Sequence, residues 1–246
     1  MKLGFSTSCL PRSGWNFVLN KLPSKVIEVN LSKSYLPFIE ETLKEKIAPK
    51  LSAYDLSLHS RTHHLFSGNK LLADAEEKML KADLYVAEIF GAKEVVFHIA
   101  RDVKRVDFKL LETLTSNFSG KLLLENNNRG LFSSHQEIIE TLEKVPRLGF
   151  CLDWGHLKLA EKRVFVEDKF EFINSLKKHI SYVHLHDNQG EYDSHSAFLL
   201  TEENEKFLEL MKKISPEKFI IETRTWEDAM KTYESVKEYL KRKVHK

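Results

Sequence analysis

The strongest constraint on the fold of this sequence is a regular alternation of short apolar runs with longer segments of helical period. Eight runs recur at intervals of roughly thirty residues, the size of a strand–helix unit. Because two parallel strands need a crossover connection between them, usually a helix, the alternation predicts a parallel sheet. Eight units suffice to close a (β/α)8 barrel, so we expect one α/β barrel domain over residues 1–246. The runs are Lys2–Ser6, Val26–Asn30, Asp55–His59, Glu94–Ile99, Lys121–Glu125, Leu148–Leu152, Tyr182–Leu185 and Phe219–Glu222.

An open, doubly wound sheet is the competing architecture. It would need a glycine-rich phosphate loop after an early strand. The sequence contains no GxGxxG or P-loop pattern, which favours the closed barrel.

The clearest helical segment lies between the third and fourth runs. Apolar residues recur there at steps of three and four, and Gly91 follows at the position of a C-terminal cap. The last helix is predicted from about Trp226 to Arg242, whereas the first unit is weak because residues 13–22 are few and contain Gly14. The apolar face of the clearest helix is predicted to carry Leu72, Ala75, Met79, Ala82, Val86 and Ile89.

Composition narrows the classes of protein to consider. Lys plus Arg number 38 and Asp plus Glu 36, so the net charge is only +2. A protein dedicated to binding nucleic acid usually has a larger excess of positive charge, although a near-neutral chain can still carry a local basic patch. Two cysteines exclude a disulfide scaffold and a four-thiolate zinc site. The sequence lacks both a signal-peptide pattern and a long apolar span, so we expect a cytoplasmic protein with no membrane partner. Low Gln content beside abundant Lys and Glu is typical of a thermophile.

Side chains of the kind that bind metals close six consecutive runs, the third to the eighth. In a barrel of this type the carboxyl ends of the strands meet at one mouth, where the chemistry lies. Each residue alone has an ordinary structural interpretation, for example Glu125 as a partner in a salt bridge or Asp153 as the N-cap of a helix. The closing residues are His59, His98, Glu125, Asp153 with His156, His184 with His186, and Glu222.

Taken together, these residues predict a divalent-metal site. Carboxylates and imidazoles at one mouth would repel and desolvate one another unless a cation lay among them, and none of the closing residues is Lys or Arg. Imidazole and carboxylate ligands suit zinc, manganese and similar ions. Since side chains alternate along a strand, His184 and His186 share a face, and one of the two can be a spacer rather than a ligand.

The strand ends resemble those of the xylose isomerase-like TIM barrels, a superfamily that includes the sugar isomerase/epimerase and endonuclease IV families. The resemblance extends from His59 to Glu222 and implies a TIM barrel. In the isomerase/epimerase branch it implies one ion, held by Glu125, Asp153, His184 and Glu222. In the endonuclease IV branch it implies up to three zinc ions, held by these four residues together with His59, His98, His156, Asp193 and His195.

Two features depart from the family pattern. A glycine-rich segment normally follows the pair that corresponds to Asp193 and His195, and it is absent here. Endonucleases of this family insert a Tyr-Leu pair into DNA, and the corresponding positions hold Thr62 and His63, which cannot wedge a base stack in the same way.

The resemblance leaves two reactions and one non-catalytic role open. The first is an isomerase or epimerase acting on a small sugar or sugar phosphate, with the metal polarising a carbonyl while Glu125 and Glu222 move a proton. The second is an endonuclease IV-like phosphodiesterase acting on abasic DNA with three zinc ions. The third is an inactive, metal-dependent scaffold. Nothing in the sequence indicates the oligomeric state. Candidate substrate contacts are Asn126, Trp154, His186 and Arg224, with Arg61 as a further anchor for a phosphate or hydroxyl group.

Overall fold

Eight parallel strands form a closed barrel in chain order. The computed structural model describes residues 2–12, 14–34, 36–37, 39–188 and 191–242, without the side chain of Phe17, so Gln189 and Gly190 of the loop after His186 lie outside the described residues. The predicted (β/α)8 TIM barrel is confirmed. The strands are β1 (Lys2–Ser6), β2 (Val26–Asn30), β3 (Asp55–His59), β4 (Glu94–Phe97), β5 (Lys121–Glu125), β6 (Gly149–Asp153), β7 (Ile180–Leu185) and β8 (Lys218–Ile221).

Pairing of β1 with β8 closes the barrel, with Phe5 opposite Ile221. Four strands have the predicted bounds, and the other four differ by one or two residues at an end. Strand β7 begins two residues earlier than predicted, at Ile180, and β4 ends two residues earlier, at Phe97, where Ile99 leaves the ladder and forms an isolated bridge to Leu65.

Helices connect successive strands. The weak first unit contains a single turn of α-helix, followed by a 3-10 turn at Leu19–Lys21. A π-helical segment, Leu43–Ile47, joins the two short helices between β2 and β3. The helices are α1 (Trp15–Val18), α2 (Glu40–Thr42), α3 (Ala48–Leu51), α4 (Lys70–Phe90), α5 (Phe108–Asn117), α6 (His135–Lys144), α7 (Trp154–Lys162), α8 (Lys169–Leu176), α9 (Glu202–Ile214) and α10 (Trp226–Arg242).

Helix α4 ends at Gly91 as predicted, with a φ of 68° at this glycine, but it buries a different face. The buried face is offset by one position from the predicted face, whose Val86 and Ile89 are half-buried against the core, and two acidic residues lie on the buried side. Asp83 accepts hydrogen bonds from the backbone and guanidinium of Arg61, and Glu76 accepts one from the backbone N–H of His63. The donors of the loop after β3 thus favour a helix orientation in which the buried positions lie one residue later than predicted. The buried residues are Glu76, Leu80, Asp83, Leu84, Ala87 and Phe90.

The interior of the barrel is layered along its axis. At the amino ends of the strands, Lys218 Nζ lies 2.8 Å from Asp55 Oδ1 and 2.7 Å from Glu94 Oε2. An apolar layer follows, and the polar mouth lies at the carboxyl ends. The layer contains Val96, Leu123, Cys151, Tyr182 and Ile220. Among the described residues, no helix combines the length and the apolar character needed to span a membrane.

Candidate functional site

The carboxyl ends of the strands surround one cavity of about 960 Å³. Asp153 and His184 are fully buried and do not line this cavity. The other seven predicted metal-type residues do line it, namely His59, His98, Glu125, His156, Asp193, His195 and Glu222.

The imidazole of His184 lies at the centre of three carboxylates. Its Nδ1 atom is 3.3 Å from Glu222 Oε2, 3.4 Å from Glu125 Oε2 and 3.8 Å from Asp153 Oδ2. Strands β5, β6, β7 and β8 supply these four residues, or carry them immediately after their last residue. The structure therefore brings together the four residues that the isomerase/epimerase resemblance implies as ligands.

Sequence reasoning missed the partner of the other nitrogen of His184. His184 Nε2 donates a hydrogen bond to Glu28 Oε2 at 2.9 Å, and the hydroxyl of Tyr182 donates to the same oxygen at 2.9 Å. Because Nε2 is held by Glu28, Nδ1 is the nitrogen that faces the acids and that would bind a cation when the ring is neutral. A signal for Glu28 was present, because it is a carboxylate inside an otherwise apolar run, flanked by Ile27 and Val29.

Asn30, at the end of β2, was missed as well. Its Nδ2 donates to Glu222 Oε1 at 3.2 Å. Asn30 lies two residues after Glu28, so the period of a strand places both side chains on the inner face of the barrel. Thus β2, which carries none of the predicted ligands, orients two of them.

A first group of metal-type atoms surrounds Glu125. His59 Nε2 lies 3.2 Å and His98 Nε2 3.4 Å from Glu125 Oε2. His59, Glu125, His184 and Glu222 each present one ligand-type atom within 4.8 Å of the others. A single ion could contact all four residues after small side-chain movements.

A second group surrounds Asp193. Its Oδ2 atom lies 2.9 Å from His156 Nε2 and 3.4 Å from His195 Nε2. His186 completes this group, whose ligand-type atoms also lie within 4.8 Å of one another. Glu125, Asp153 and His156 form a third such set, which connects the first group to the second.

Backbone carbonyls fix the orientation of the other imidazoles. The Nδ1 atoms of His59, His156, His186 and His195 bond to the carbonyls of Ser60, Asn126, Asp187 and Glu222, at 2.9 to 3.3 Å. With Nδ1 as the donor, each of these rings presents Nε2 to a carboxylate. Such outer hydrogen bonds are the usual means of orienting histidine ligands of metals.

Burial and mutual charge shift the pKa values of the site. Burial favours the neutral carboxyl of Glu125, but electrostatic interaction with the imidazoles of His98 and His184 outweighs it and holds the pKa of Glu125 well below its usual range. Burial opposes protonation of His59, yet the hydrogen bond to Glu125 and the charge of Glu222 raise the pKa of His59 to about 9. For His98, burial prevails over the charge of Glu125 and holds its pKa well below the usual value.

The donor set of the site fits a divalent cation. Among the described residues, four buried atoms of the site have no hydrogen-bond partner, namely Glu28 Oε1, Glu125 Oε1, His184 Nδ1 and Asp193 Oδ1. Leaving such an atom unpaired costs about 1–3 kcal/mol. Carboxylate oxygens and imidazole nitrogens are ligands of zinc and manganese, so ions of this kind could satisfy Glu125 Oε1, His184 Nδ1 and Asp193 Oδ1, which belong to the groups described above.

Of the predicted substrate contacts, Arg224 lines the cavity, where its Nη2 donates to the carbonyl of Asp193 at 2.5 Å. Arg61 does not line it, because its guanidinium binds the buried Asp83 at 2.5 to 2.9 Å. Asn126 also lies away from the cavity. Its side chain ties β5 to β6 by bonding the backbone N–H and C=O of Asp153 at 2.8 and 3.0 Å.

Trp154 and His186 do not fit the expected role of substrate contacts. Trp154 is fully buried against α9, with its ring centroid 4.2 Å from that of Phe207. His186 is fully buried behind Asp153, where its Nε2 lies 3.0 Å from Asp153 Oδ2. Gly155 makes room for this ring, since a Cβ atom there would lie 2.0 Å from His186 Cε1.

The fold and the site define a TIM barrel with a candidate metal centre at the carboxyl ends of its strands. The chain belongs to the xylose isomerase-like TIM barrel family, whose model matches residues 21–243. Comparison with curated protein sequences gives no significant match.

Solved structures similar to this chain include two kinds of enzyme. A D-tagatose 3-epimerase-like protein superposes with a TM-score of 0.80 at 20% identity, covering 98% of this chain and 97% of that chain. Endonuclease IV from Thermus thermophilus superposes with a TM-score of 0.69 at 18% identity, covering 98% and 100%. The IOLI protein with a bound zinc atom gives 0.73 at 16% identity, covering 98% and 99%. At these identities the likeness shows the fold alone.

Proposed function

We propose that this protein is a divalent-metal-dependent isomerase or epimerase that acts on a small sugar or sugar phosphate. The observation that carries the proposal is the meeting of Glu125 and Glu222 at His184 Nδ1, at 3.4 and 3.3 Å. Both carboxylates line the cavity and come from opposite parts of the barrel wall, β5 and the end of β8. A substrate held between them would have one acid on each side.

Glu125, Asp153, His184 and Glu222 would hold the ion in this proposal. Zinc and manganese both suit this donor set. When bound, the ion supplies Lewis acidity toward the carbonyl and hydroxyl oxygens of the substrate.

The chain itself supplies the proton transfer. One carboxylate removes the proton from the carbon next to the substrate carbonyl, and the other returns a proton on the opposite side. Asn30 holds Glu222 Oε1 at 3.2 Å, which leaves Oε2 directed toward the centre of the site.

An endonuclease IV-like phosphodiesterase acting on abasic DNA is the second candidate. The second group of ligand-type atoms, formed by His156, His186, Asp193 and His195, favours it because it offers room for further zinc ions. One observation speaks against this candidate. Thr62, at a position where the endonucleases of this family insert a side chain between DNA bases, is fully buried and does not protrude from the surface.

Metal stoichiometry separates the two candidates. Elemental analysis of protein purified without chelator should give about one ion per chain for the isomerase, manganese or zinc, and near three zinc ions for the nuclease. A panel of sugars and sugar phosphates and an incision assay on abasic duplex then test each reaction. Failure of both assays would refute both proposals.

Glu222→Gln tests the proposed catalytic role. This variant should lose isomerase activity while its unfolding free energy changes little, since the amide keeps the size of the side chain. Glu217→Gln is the matched control, because Glu217 is exposed at the opposite end of β8 and should tolerate the change. A large loss of stability in Glu222→Gln would instead make Glu222 a structural residue. The single-domain organisation, the thermophilic source and the cytoplasmic location stay predictions.

A further inference from the structure

Two exposed arginines at the rim of the cavity differ from the buried and half-buried lysines of the chain. Lys158, Lys169 and Lys218 each form ion pairs with carboxylates at 2.9 Å or less. Among the described residues, Arg101 and Arg129 form no ion pair or hydrogen bond, although both line the cavity. Two arginines without an ion-pair partner therefore stand at the rim of a cavity whose base is rich in carboxylates, and Asp193 is the acid whose charge reaches Arg101.

The two arginines are held side by side by their loops. Arg101 follows β4 and Arg129 follows β5, and the backbones touch at Gly130, where a Cβ atom would lie 2.4 Å from the carbonyl oxygen of Arg101. Gly130 has a φ of 78°, a conformation that favours glycine. Asn127 Nδ2 also donates to the carbonyl of Ile99 at 2.9 Å, which ties the same two loops together.

A third arginine adds to this concentration of positive charge. Arg163 Nη1 donates to Asn128 Oδ1 at 3.1 Å, directly beside Arg129. Burial and the charges of Arg129 and Arg163 lower the pKa of Arg101 and outweigh the opposite effect of Asp193. An anion bound between these guanidinium groups would relieve their repulsion.

The same loop reaches the metal-type residues. Asn128 Nδ2 lies 3.4 Å from Asp193 Oδ2, the atom that also contacts His156. Because Arg101, Arg129, Glu125 and Glu222 line the same cavity, a ligand could contact the arginines at one end and the acids at the other.

We propose that Arg101 and Arg129 form a subsite for the phosphate group of a small phosphorylated substrate. This inference rests on the proposed isomerase or epimerase function and names its substrate class, a phosphate ester rather than a free sugar. Paired guanidinium groups bind phosphate oxygens by charge-assisted hydrogen bonds. A small ester is favoured over DNA because the cavity lining, as far as the described residues form it, contains two aliphatic side chains, Leu10 and Leu72, and no aromatic ring other than histidine for a base to stack on.

Calorimetric titration of the manganese-loaded protein with sorbitol 6-phosphate and with sorbitol tests the proposal. The phosphorylated polyol should bind at least about tenfold more tightly than sorbitol, and Arg101→Gln or Arg129→Gln should each weaken its binding about tenfold, the usual effect of losing one charge-assisted hydrogen bond. Neither variant should change the affinity for Mn²⁺ or for sorbitol. Arg105→Gln is the matched control, because Arg105 is an exposed arginine of the loop after β4 that does not line the cavity.

Equal binding of the two polyols, or equal effects of the control and test variants, would overturn the subsite. Arginine-dependent binding of an abasic duplex without binding of sorbitol 6-phosphate would assign the arginines to nucleic acid and also overturn it. The separate titration with Mn²⁺ alone reports on the proposed function. If the protein fails to bind Mn²⁺, the polyol comparison on the metal-free protein still decides whether the arginines bind phosphate.

Discussion

Glu28 provides the sharpest test of how the site is organised. Its Oε2 atom accepts hydrogen bonds from His184 Nε2 and from the Tyr182 hydroxyl, both at 2.9 Å. In Glu28→Gln the amide oxygen can still accept from both donors, but it carries no charge, so both hydrogen bonds lose their charge assistance. The imidazole of His184 is then less firmly oriented and less basic toward a metal.

The expected effect is on metal affinity. Losing an outer-sphere carboxylate of a histidine ligand lowers metal affinity about 10- to 100-fold, which corresponds to about 1.4–2.7 kcal/mol. The dissociation constants for Zn²⁺ and Mn²⁺ can be measured by competition with a chromophoric chelator, at one fixed pH, on protein stripped of metal. Circular dichroism of the metal-free variant checks that the barrel is folded.

Glu94→Gln serves as the control for Glu28→Gln. Glu94 also lies inside the barrel wall, but at the amino end of β4, where it binds Lys218 at 2.7 Å. Its substitution should alter stability and leave the affinity for divalent ions unchanged. A folded Glu28→Gln protein with wild-type affinity for both ions would refute the idea that Glu28 orients His184 toward a metal.

Three further predictions concern packing, acid stability and proton release. Gly155→Ala places a methyl group against the ring of His186 and should lower the unfolding free energy by about 1–3 kcal/mol in urea titration, whereas wild-type stability would contradict the close approach of this ring to the backbone. Burial opposes ionisation of Asp55, but the adjacent lysine ammonium groups outweigh it and lower its pKa to about 2. Its contribution, about 1 kcal/mol after allowance for solvent screening, is present above pH 4 and lost as the pH falls through 2, so Asp55→Asn should destabilise the protein at pH 7 and less at pH 3. Burial opposes protonation of His59 and His186, but nearby carboxylates raise the pKa of each to about 9. Metal uptake at pH 7 should therefore release protons, and metal affinity should rise with pH up to about 9. Calorimetry in buffers of different ionisation enthalpy measures the number of protons released, and a value of zero would contradict the prediction.

The barrel was predictable because every strand is a short apolar run and every connection is long enough for a helix. The prediction was in error at the end of β4 and at the buried face of α4, where the pattern of side chains does not reveal the path of the neighbouring loop backbone. Ile99 reads as part of the fourth run, yet its bridge is to Leu65, outside the barrel ladder. The buried face of α4 was missed because Glu76 and Asp83 look like surface residues until the loop that donates to them is in place.

The positions of the candidate ligands were predictable from the ends of the strands, whereas their orientation was not. Glu28 was overlooked because candidate ligands were sought at the last residue of each strand, whereas Glu28 lies two positions before the end of β2. Trp154 directly follows Asp153, but it begins helix α7, which turns its ring outward against Phe207. Adjacency in sequence therefore did not mean adjacency in the cavity.

The clustering of acids at the mouth does not by itself require a metal. The expectation that only a multivalent cation could relieve their repulsion overlooked the imidazoles, whose protonated forms can do the same. Burial opposes protonation of His184, yet the charges of Glu28, Glu125 and Glu222 hold its pKa well above the usual value. The stronger argument for a metal comes from atoms that the hydrogen bonds of the imidazoles do not satisfy. Glu125 Oε1 is such an atom, because His156 Nδ1, although 3.2 Å away, bonds to a backbone carbonyl instead. A cation that replaces protons on the imidazoles would reach this oxygen and leave the outer hydrogen bonds intact, which is why the donor set fits a metal better than it fits protons alone.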